Sequence, residues 1–174
     1  MSAADPFEAL GVEPTFAVDI ALLEQRHRDL SRALHPDRHA GAGSAERRRA
    51  LGRAIEVNEA FRKLKDPVRR AEALLARQGV ESGEGKEPPA PPELLMEVME
   101  RREALAEIRV SKDQVALGRM IADMEREERR VRAELESRFA DPRTDSAEIL
   151  KKLGELRYFR RFLDEAQAIA DDLF

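Results

Sequence analysis

Residues 35–37 read His-Pro-Asp, an imidazole and a carboxylate set on either side of a proline. Proline cannot continue the helix before it, and it drives the preceding residue away from the α region. The tripeptide lies in a polar gap between two amphipathic stretches, so the chain must turn there and present both groups at the turn. His35 and His39 have the i, i+4 spacing of a helical metal pair, but Pro36 breaks the helix between them. The third histidine, His27, falls on an apolar helix face and reads as a core or boundary residue. The chain has no cysteine. It therefore has no disulfide, no thiol nucleophile and no thiolate for zinc or an iron–sulfur cluster. No nucleophile–base pair, glycine-rich phosphate loop or carboxylate pair stands out. The expectation is a protein that is not an enzyme and needs no metal or cofactor of its own, so that any role in metal biology runs through a partner.

The elements that must hold this turn can be read from caps and periodicity. Asp5-Pro6 opens a short helix that stops at Gly11, with Asp as N-cap and Pro at the first helical position. Asp19 caps a helix to about Leu34, whose apolar face is Leu23, His27, Leu30 and Leu34, with Arg28 and Arg32 on the opposite face. Ser44 is the expected N-cap of a third helix to about Lys65, with Leu51, Ala54, Val57, Phe61 and Leu64 on one face. Asp66-Pro67 ends it, and a short helix follows through Leu74 and Leu75 to Gly79. Periodicity alone allows a helical hairpin with an inert turn just as readily as a functional one.

Residues 79–92 are dense in Gly and Pro and mark a boundary. Beyond it, three helices are predicted near 93–109, 112–139 and 146–173, with Asp141-Pro142 turning the chain between the last two. Leu117, Ile121, Met124, Val131 and Leu135 mark one face of the middle helix. Leu156, Phe159, Leu163, Ala166, Ala170 and Leu173 mark that of the last. On the 93–109 helix, Leu94, Val98, Leu105 and Ile108 share one face within about 80° at 100° per residue. Leu95, Met96 and Met99 fall outside it, on the side that carries Glu100, Glu103 and Glu107. An apolar strip flanked by carboxylates reads as a docking surface; an asymmetric bundle that buries the strip is the other reading.

Composition agrees with an all-α chain: 38% of residues are charged and 5% aromatic, with one tyrosine and no tryptophan. At 174 residues the chain makes one domain or two small ones. No run of about 20 apolar residues is present, and the first residues lack the pattern of a signal peptide, so a cytoplasmic location is expected. Residues 1–79 carry 14 Lys/Arg against 12 Asp/Glu, and residues 80–174 carry 17 against 23. Neither part is basic enough for nucleic acid to be the main partner. The asymmetry suggests two surfaces for two partners.

Leu10-Gly11-Val12, the helix ending in Leu34-His35-Pro36-Asp37-Arg38, and Val57-Asn58-Glu59-Ala60-Phe61 followed by Leu64 and Asp66-Pro67 together resemble a J-domain. That resemblance implies that His35, Pro36 and Asp37 trigger ATP hydrolysis in an Hsp-seventy-class chaperone, with Arg28, Arg32 and Arg38 as docking charges. The family usually has an aromatic where this chain has His27. Arg70–Leu75, Leu95–Leu105 and the Leu153–Phe174 helix extend the resemblance, over nearly the whole chain, to the HscB-type iron–sulfur co-chaperones. It implies a J-domain at 1–79, a Pro/Gly-rich linker at 80–92 and a three-helix scaffold-binding domain at 93–174. The implied partners are an HscA/DnaK-type chaperone and an IscU-type scaffold. The scaffold would bind Leu95, Met96, Met99, Glu100, Glu103, Glu107 and Tyr158. Two alternatives stay open: a J-domain co-chaperone with a different client, and a helical adaptor with no chaperone partner.

Overall fold

A computed structural model describes residues 5–39, 41, 43–83 and 85–173, the last for its backbone only. All regular elements among them are helical: α1 (Pro6–Leu10), α2 (Ile20–Ala33), a 3-10 turn (Pro36–His39), α3 (Ser44–Lys65), α4 (Pro67–Arg77), α5 (Pro92–Ser111), α6 (Gln114–Ala140) and α7 (Ser146–Leu173). They fall into two compact units, Met1–Glu81 and Ser82–Phe174.

In the first unit, helix starts follow side-chain caps. The Asp5 carboxylate accepts the Phe7 N–H at 2.9 Å, and Asp19 accepts those of Ala21 and Leu22. Such caps satisfy amide donors that the first turn leaves orphaned. α1 ends at Gly11, whose φ of +63° places it in the left-handed region that glycine enters without a Cβ clash. Asp66 serves twice: its backbone N–H closes α3 on the Arg62 carbonyl, and its carboxylate caps α4 through the Arg69 N–H. Asp5 also pairs with Arg77, tying the start of α1 to the end of α4. α2 and α3 form the hairpin, and the core is Phe7, Leu10, Phe16, Leu23, Val57, Ala60, Leu64, Leu74 and Leu75.

Two expectations fail on α3. Gly43, not Ser44, is the N-cap, and no side chain bonds the helix start; Ser44 is already helical. The buried face runs through Ala50, Val57, Ala60 and Leu64, whereas Leu51 is 58% exposed. Alanines hold this seam because they let neighbouring backbones approach closely, and a reading led by large apolar residues passes over them.

In the second unit, α6 and α7 are the main packed pair. Leu117, Met124, Val131 and Leu135 are buried on α6, and Ile149, Leu153, Leu156, Phe159, Phe162, Ala166 and Ile169 on α7. The buried row near the end of α7 is Phe162–Ala166–Ile169; Leu163 and Ala170, expected there, are only half-buried. Asp113 caps α6 through the Ala116 N–H at 2.9 Å, and Lys152 joins Glu134 (2.9 Å) to Glu155 (2.7 Å). Glu128 was not expected among core positions, yet it is buried, with one carboxylate oxygen unpartnered among the described residues.

The α3 register gives a direct test. Leu64→Ala should cost about 2–5 kcal/mol by cavity formation, while Leu51→Ala should stay within about 0.5 kcal/mol. Urea unfolding of the two variants measures both, and equal costs would contradict the register.

Candidate functional sites

The first site is the turn between α2 and α3. α2 ends with Leu34, whose N–H still bonds the Leu30 carbonyl at 2.9 Å. Pro36 then starts a 3-10 turn, closed by the Arg38 N–H on the His35 carbonyl at 3.0 Å. His35, Pro36, Asp37 and Arg38 are all exposed. His35 Nδ1 lies 3.4 Å from an Asp37 carboxylate oxygen and 3.3 Å from the Asp37 amide nitrogen. One ring nitrogen thus serves two contacts: unprotonated it accepts the amide, and protonated it donates to the carboxylate. Both side chains remain open to a partner.

His39 does something the sequence did not suggest. Its Nε2 lies 3.2 Å from the Ala33 carbonyl, at the C-terminus of α2, and its Nδ1 lies 3.8 Å from Glu46 on α3. The ring links the two helix ends beneath the turn, facing a helix carbonyl rather than joining His35 as a metal ligand. His27 stacks on Phe61 with ring centroids 4.2 Å apart and planes 14° from parallel. Its Nε2 reaches Asn58 Oδ1 at 2.8 Å. The imidazole therefore fills an aromatic's place in the α2–α3 seam. Arg28 and Arg32 stand exposed on the far side of α2, with only loose contacts to Glu24 (3.9 Å) and Asp29 (4.0 Å). Exposed pairs at such distances contribute little to stability and leave the guanidiniums available.

The second site is on α5. Leu105 is buried, and Leu94, Val98 and Ile108 are half-buried, so the expected inner face is the inner face. Leu95, Met96 and Met99 are 51%, 63% and 63% exposed. Glu100, Glu103 and Glu107 are exposed beside them. Arg101 pins the helix from below: it pairs with Glu97, meets Met124 Sδ at 3.0 Å and lies over the Phe159 ring at 5.6 Å. Sequence reading passed over Arg101, although the Glu97–Arg101 i, i+4 spacing was a usable signal.

Tyr158 meets Leu95 at a pocket of about 260 Å³, which Leu94, Val98, Pro88 and Pro91 also line. Gly154 borders it, and a Cβ there would come within 3.4 Å of Glu87 Cγ. The 87–91 segment lies against α7 there, and Glu87 pairs with Arg157. The Tyr158 hydroxyl is buried and has no hydrogen-bond partner among the described residues. Burial pushes this phenol above its ordinary value; Arg101 and Arg102 oppose the shift, and Glu97 and Glu165 add to it.

Comparison with known proteins decides the family. A co-chaperone protein HscB homolog of Bordetella pertussis is 35% identical over 97% of this chain and 97% of its own. The chain belongs to the HscB co-chaperone family. A Shewanella halifaxensis HscB homolog is 32% identical over 97% of this chain and 98% of its own. The family model described as HSCB C-terminal oligomerisation domain matches residues 90–167. Among solved structures, chaperone HscB from Vibrio cholerae superposes with a TM-score of 0.85 at 31% identity, covering 98% of this chain and 99% of its own. Human co-chaperone protein HscB gives 0.85 at 25% identity, covering 97% and 83%. Among the described residues no helix is long and apolar enough to cross a membrane.

Tyr158 is the only tyrosine and tryptophan is absent, so tyrosinate absorbance reports one group. Its titration midpoint should lie above 10 in the native protein and near 10 in urea. Because the folded value is raised, the contribution to stability is complete below the unfolded value and lost as pH rises through the folded one. Tyr158→Phe, which deletes an unpartnered buried hydroxyl, should melt no lower than the parent. A midpoint at or below 10 in the native state would contradict this placement.

Proposed function

We propose that this protein is an iron–sulfur co-chaperone that delivers an IscU-type scaffold to an HscA/DnaK-type chaperone and stimulates that chaperone's ATPase. The observation that carries the reading is the presence of two separate exposed surfaces of different chemistry. One is the His35-Pro36-Asp37 turn with Arg28, Arg32 and Arg38; the other is the α5 strip of Leu95, Met96 and Met99 beside Glu100, Glu103 and Glu107. In this reading residues 1–79 act as the J-domain, 80–92 as the connection and 93–174 as the scaffold-binding domain.

Each surface has a defined task. Asp37 and His35 supply a charge and a hydrogen-bonding ring at a turn that His39 holds from both sides. The arginines bring an acidic chaperone surface to that turn and act chiefly on encounter rate and orientation. ATP is hydrolysed in the chaperone; this protein biases the chaperone's conformational equilibrium by binding one state better than the other. On α5, the apolar centre supplies affinity and the glutamates select a scaffold face that presents basic residues around an apolar patch. Methionines suit this surface because an unbranched thioether adapts to irregular partners. Tyr158 supports the Leu95 end of the strip.

The family model's description raises a second occupant for α5, another copy of the chain. A parallel twofold dimer through this strip would bring Glu100, Glu103 and Glu107 of one copy near those of its partner, and such like-charge juxtaposition disfavours that arrangement.

Titration calorimetry with an IscU-type scaffold tests the α5 assignment. Leu95→Ala/Met96→Ala/Met99→Ala should weaken binding by about 10- to 100-fold without changing the melting temperature. Unaltered affinity would remove the strip from the interface. Loss of self-association in that variant by light scattering would favour the dimer instead. Asp37→Asn should abolish ATPase stimulation while scaffold affinity stays as in the parent, and retained stimulation would refute the division of labour.

A further inference from the structure

The His35-Pro36-Asp37 turn has no apolar footing. Residues 35–38 are exposed, and the 3-10 turn buries none of its members. Its backbone closes on itself through the Arg38 N–H and the His35 carbonyl, and Gly43 opens α3 without a side chain to cap it. A turn of this kind keeps one arrangement only if polar contacts from its flanks hold it there. His39 makes such contacts. It is the half-buried residue of the turn, with Nε2 3.2 Å from the Ala33 carbonyl and Nδ1 3.8 Å from Glu46.

Ala33 is the last residue of α2, where a helix leaves its carbonyls without internal donors. In an unbroken helix the Asp37 N–H would fill that place, four residues on. Here the Asp37 N–H turns to the His35 ring instead, and the His39 ring stands at the vacated carbonyl. Both atoms that His39 faces are oxygens that only accept. A neutral imidazole has one N–H, so either tautomer sets a lone pair against one of the two oxygens. The imidazolium offers an N–H to each, at a helix C-terminus whose partial negative charge favours a cation. Glu46 is the charged group that faces the ring from α3. On α2, Arg32 is turned to Asp29, and within the turn Asp37 contacts His35 while Arg38 is exposed.

We propose that His39 is a positioning residue for the chaperone trigger: it ties the end of α2 to the start of α3 and so fixes the turn that displays His35 and Asp37. This rests on the co-chaperone reading above. His39 touches no partner in this scheme. It acts through Asp37, by supplying the Ala33 carbonyl with the donor that Asp37 gives up when it enters the turn. Arg28 and Arg32 stay as they are on α2, so loss of His39 lowers the fraction of bound complexes that are triggered, not the tightness of binding. Protonation of the ring strengthens the tie, because both contacts then run from donor to acceptor. Stimulation by this chain therefore gains as the medium turns acid.

The test is titration of a purified HscA/DnaK-type chaperone's steady-state ATPase with the full chain and its variants, at about pH 8 and about pH 6. His39→Ala should lower the plateau by about three- to tenfold, the factor that one ordinary hydrogen bond corresponds to, with the half-maximal concentration kept. The amide of His39→Gln can still donate to the Ala33 carbonyl but does not titrate, so this variant should recover most of the plateau at the higher pH. The ratio of parent to His39→Gln, in which the chaperone's own pH dependence cancels, should then rise toward the lower pH. In a Glu46→Gln background that rise should shrink. If the parent stimulates and His39→Ala reaches the same plateau, the positioning role is refuted while the co-chaperone reading stands. A ratio that stays flat with pH makes the ring a space-filler and overturns the proposal, whatever the melting temperature of His39→Ala. If the parent itself fails to stimulate at either pH, the co-chaperone reading falls and this inference with it.

Discussion

Where proline permits a helix to start or stop decides the layout of this molecule. A proline lacks an N–H and has a fixed φ, so it is comfortable in a first turn and disruptive further in. Asp5-Pro6 and Asp66-Pro67 join it to a carboxylate cap and set the starts of α1 and α4. Asp141-Pro142 separates α6 from α7, with Arg143 held on Asp141 at 3.0 Å. His35-Pro36 uses the same constraint for a different end. Here no carboxylate caps the proline, the chain makes a short 3-10 turn, and the flanking imidazole and carboxylate stay exposed. The His35-Pro36-Asp37 turn is thus a proline-directed helix break like those at Asp5-Pro6 and Asp66-Pro67, without a carboxylate cap.

What could be read from the sequence was mainly what is local. Caps at Asp5 and Asp19, the break at Asp66-Pro67, the stop at Gly11 and the bounds of α5–α7 to within about three residues all follow from short-range signals. Helix faces were legible where large residues mark them: α2 by Leu23, and α5 by Leu105 against Leu95 and Met99. They were misread where alanine does the packing, as on α3, and where one residue of drift over a long helix exchanges Leu163 and Ala170 for Phe162 and Ile169. Contacts between distant residues left no comparable trace. Nothing in the local pattern foretold that His39 would reach Ala33 and Glu46, or that the hydroxyl of Tyr158 would be buried without a partner.

Several ion pairs among the described residues are exposed i, i+3 or i, i+4 contacts on single helices, such as Arg53–Glu56 and Arg130–Glu134, each worth a few tenths of a kcal/mol. The Lys152 cluster differs. A hydrogen bond from Lys152 holds the Glu134 carboxyl below its ordinary value against the opposing effect of burial. The stabilisation is present above the unfolded value and is lost as pH falls through the folded one. It joins α6 to α7, the pair whose packing supports α5, so the surface charges that matter to architecture are few and cross between helices.

A helix in a small unit can bury one face, and what it does with the other distinguishes scaffold from site. α6 covers its outer face with charge: Arg126, Glu125 and Arg129 are exposed and satisfied by one another or by Asp123. α5 does not. It spends its outer strip on Leu95, Met96 and Met99, and it can do so only because Leu105 and Arg101 fix the inner side firmly enough to keep the strip in place. An apolar strip on a fraying helix would bind many things weakly; on an anchored one, the partner meets a surface already in its bound shape, and less ordering entropy opposes association. Arg101 is therefore tied to the proposed function without touching a partner. Its cation lies over Phe159 and against the Met124 sulfur, so the fixed inner contact lies within one turn of Met99 on the exposed strip, and the two are mechanically coupled.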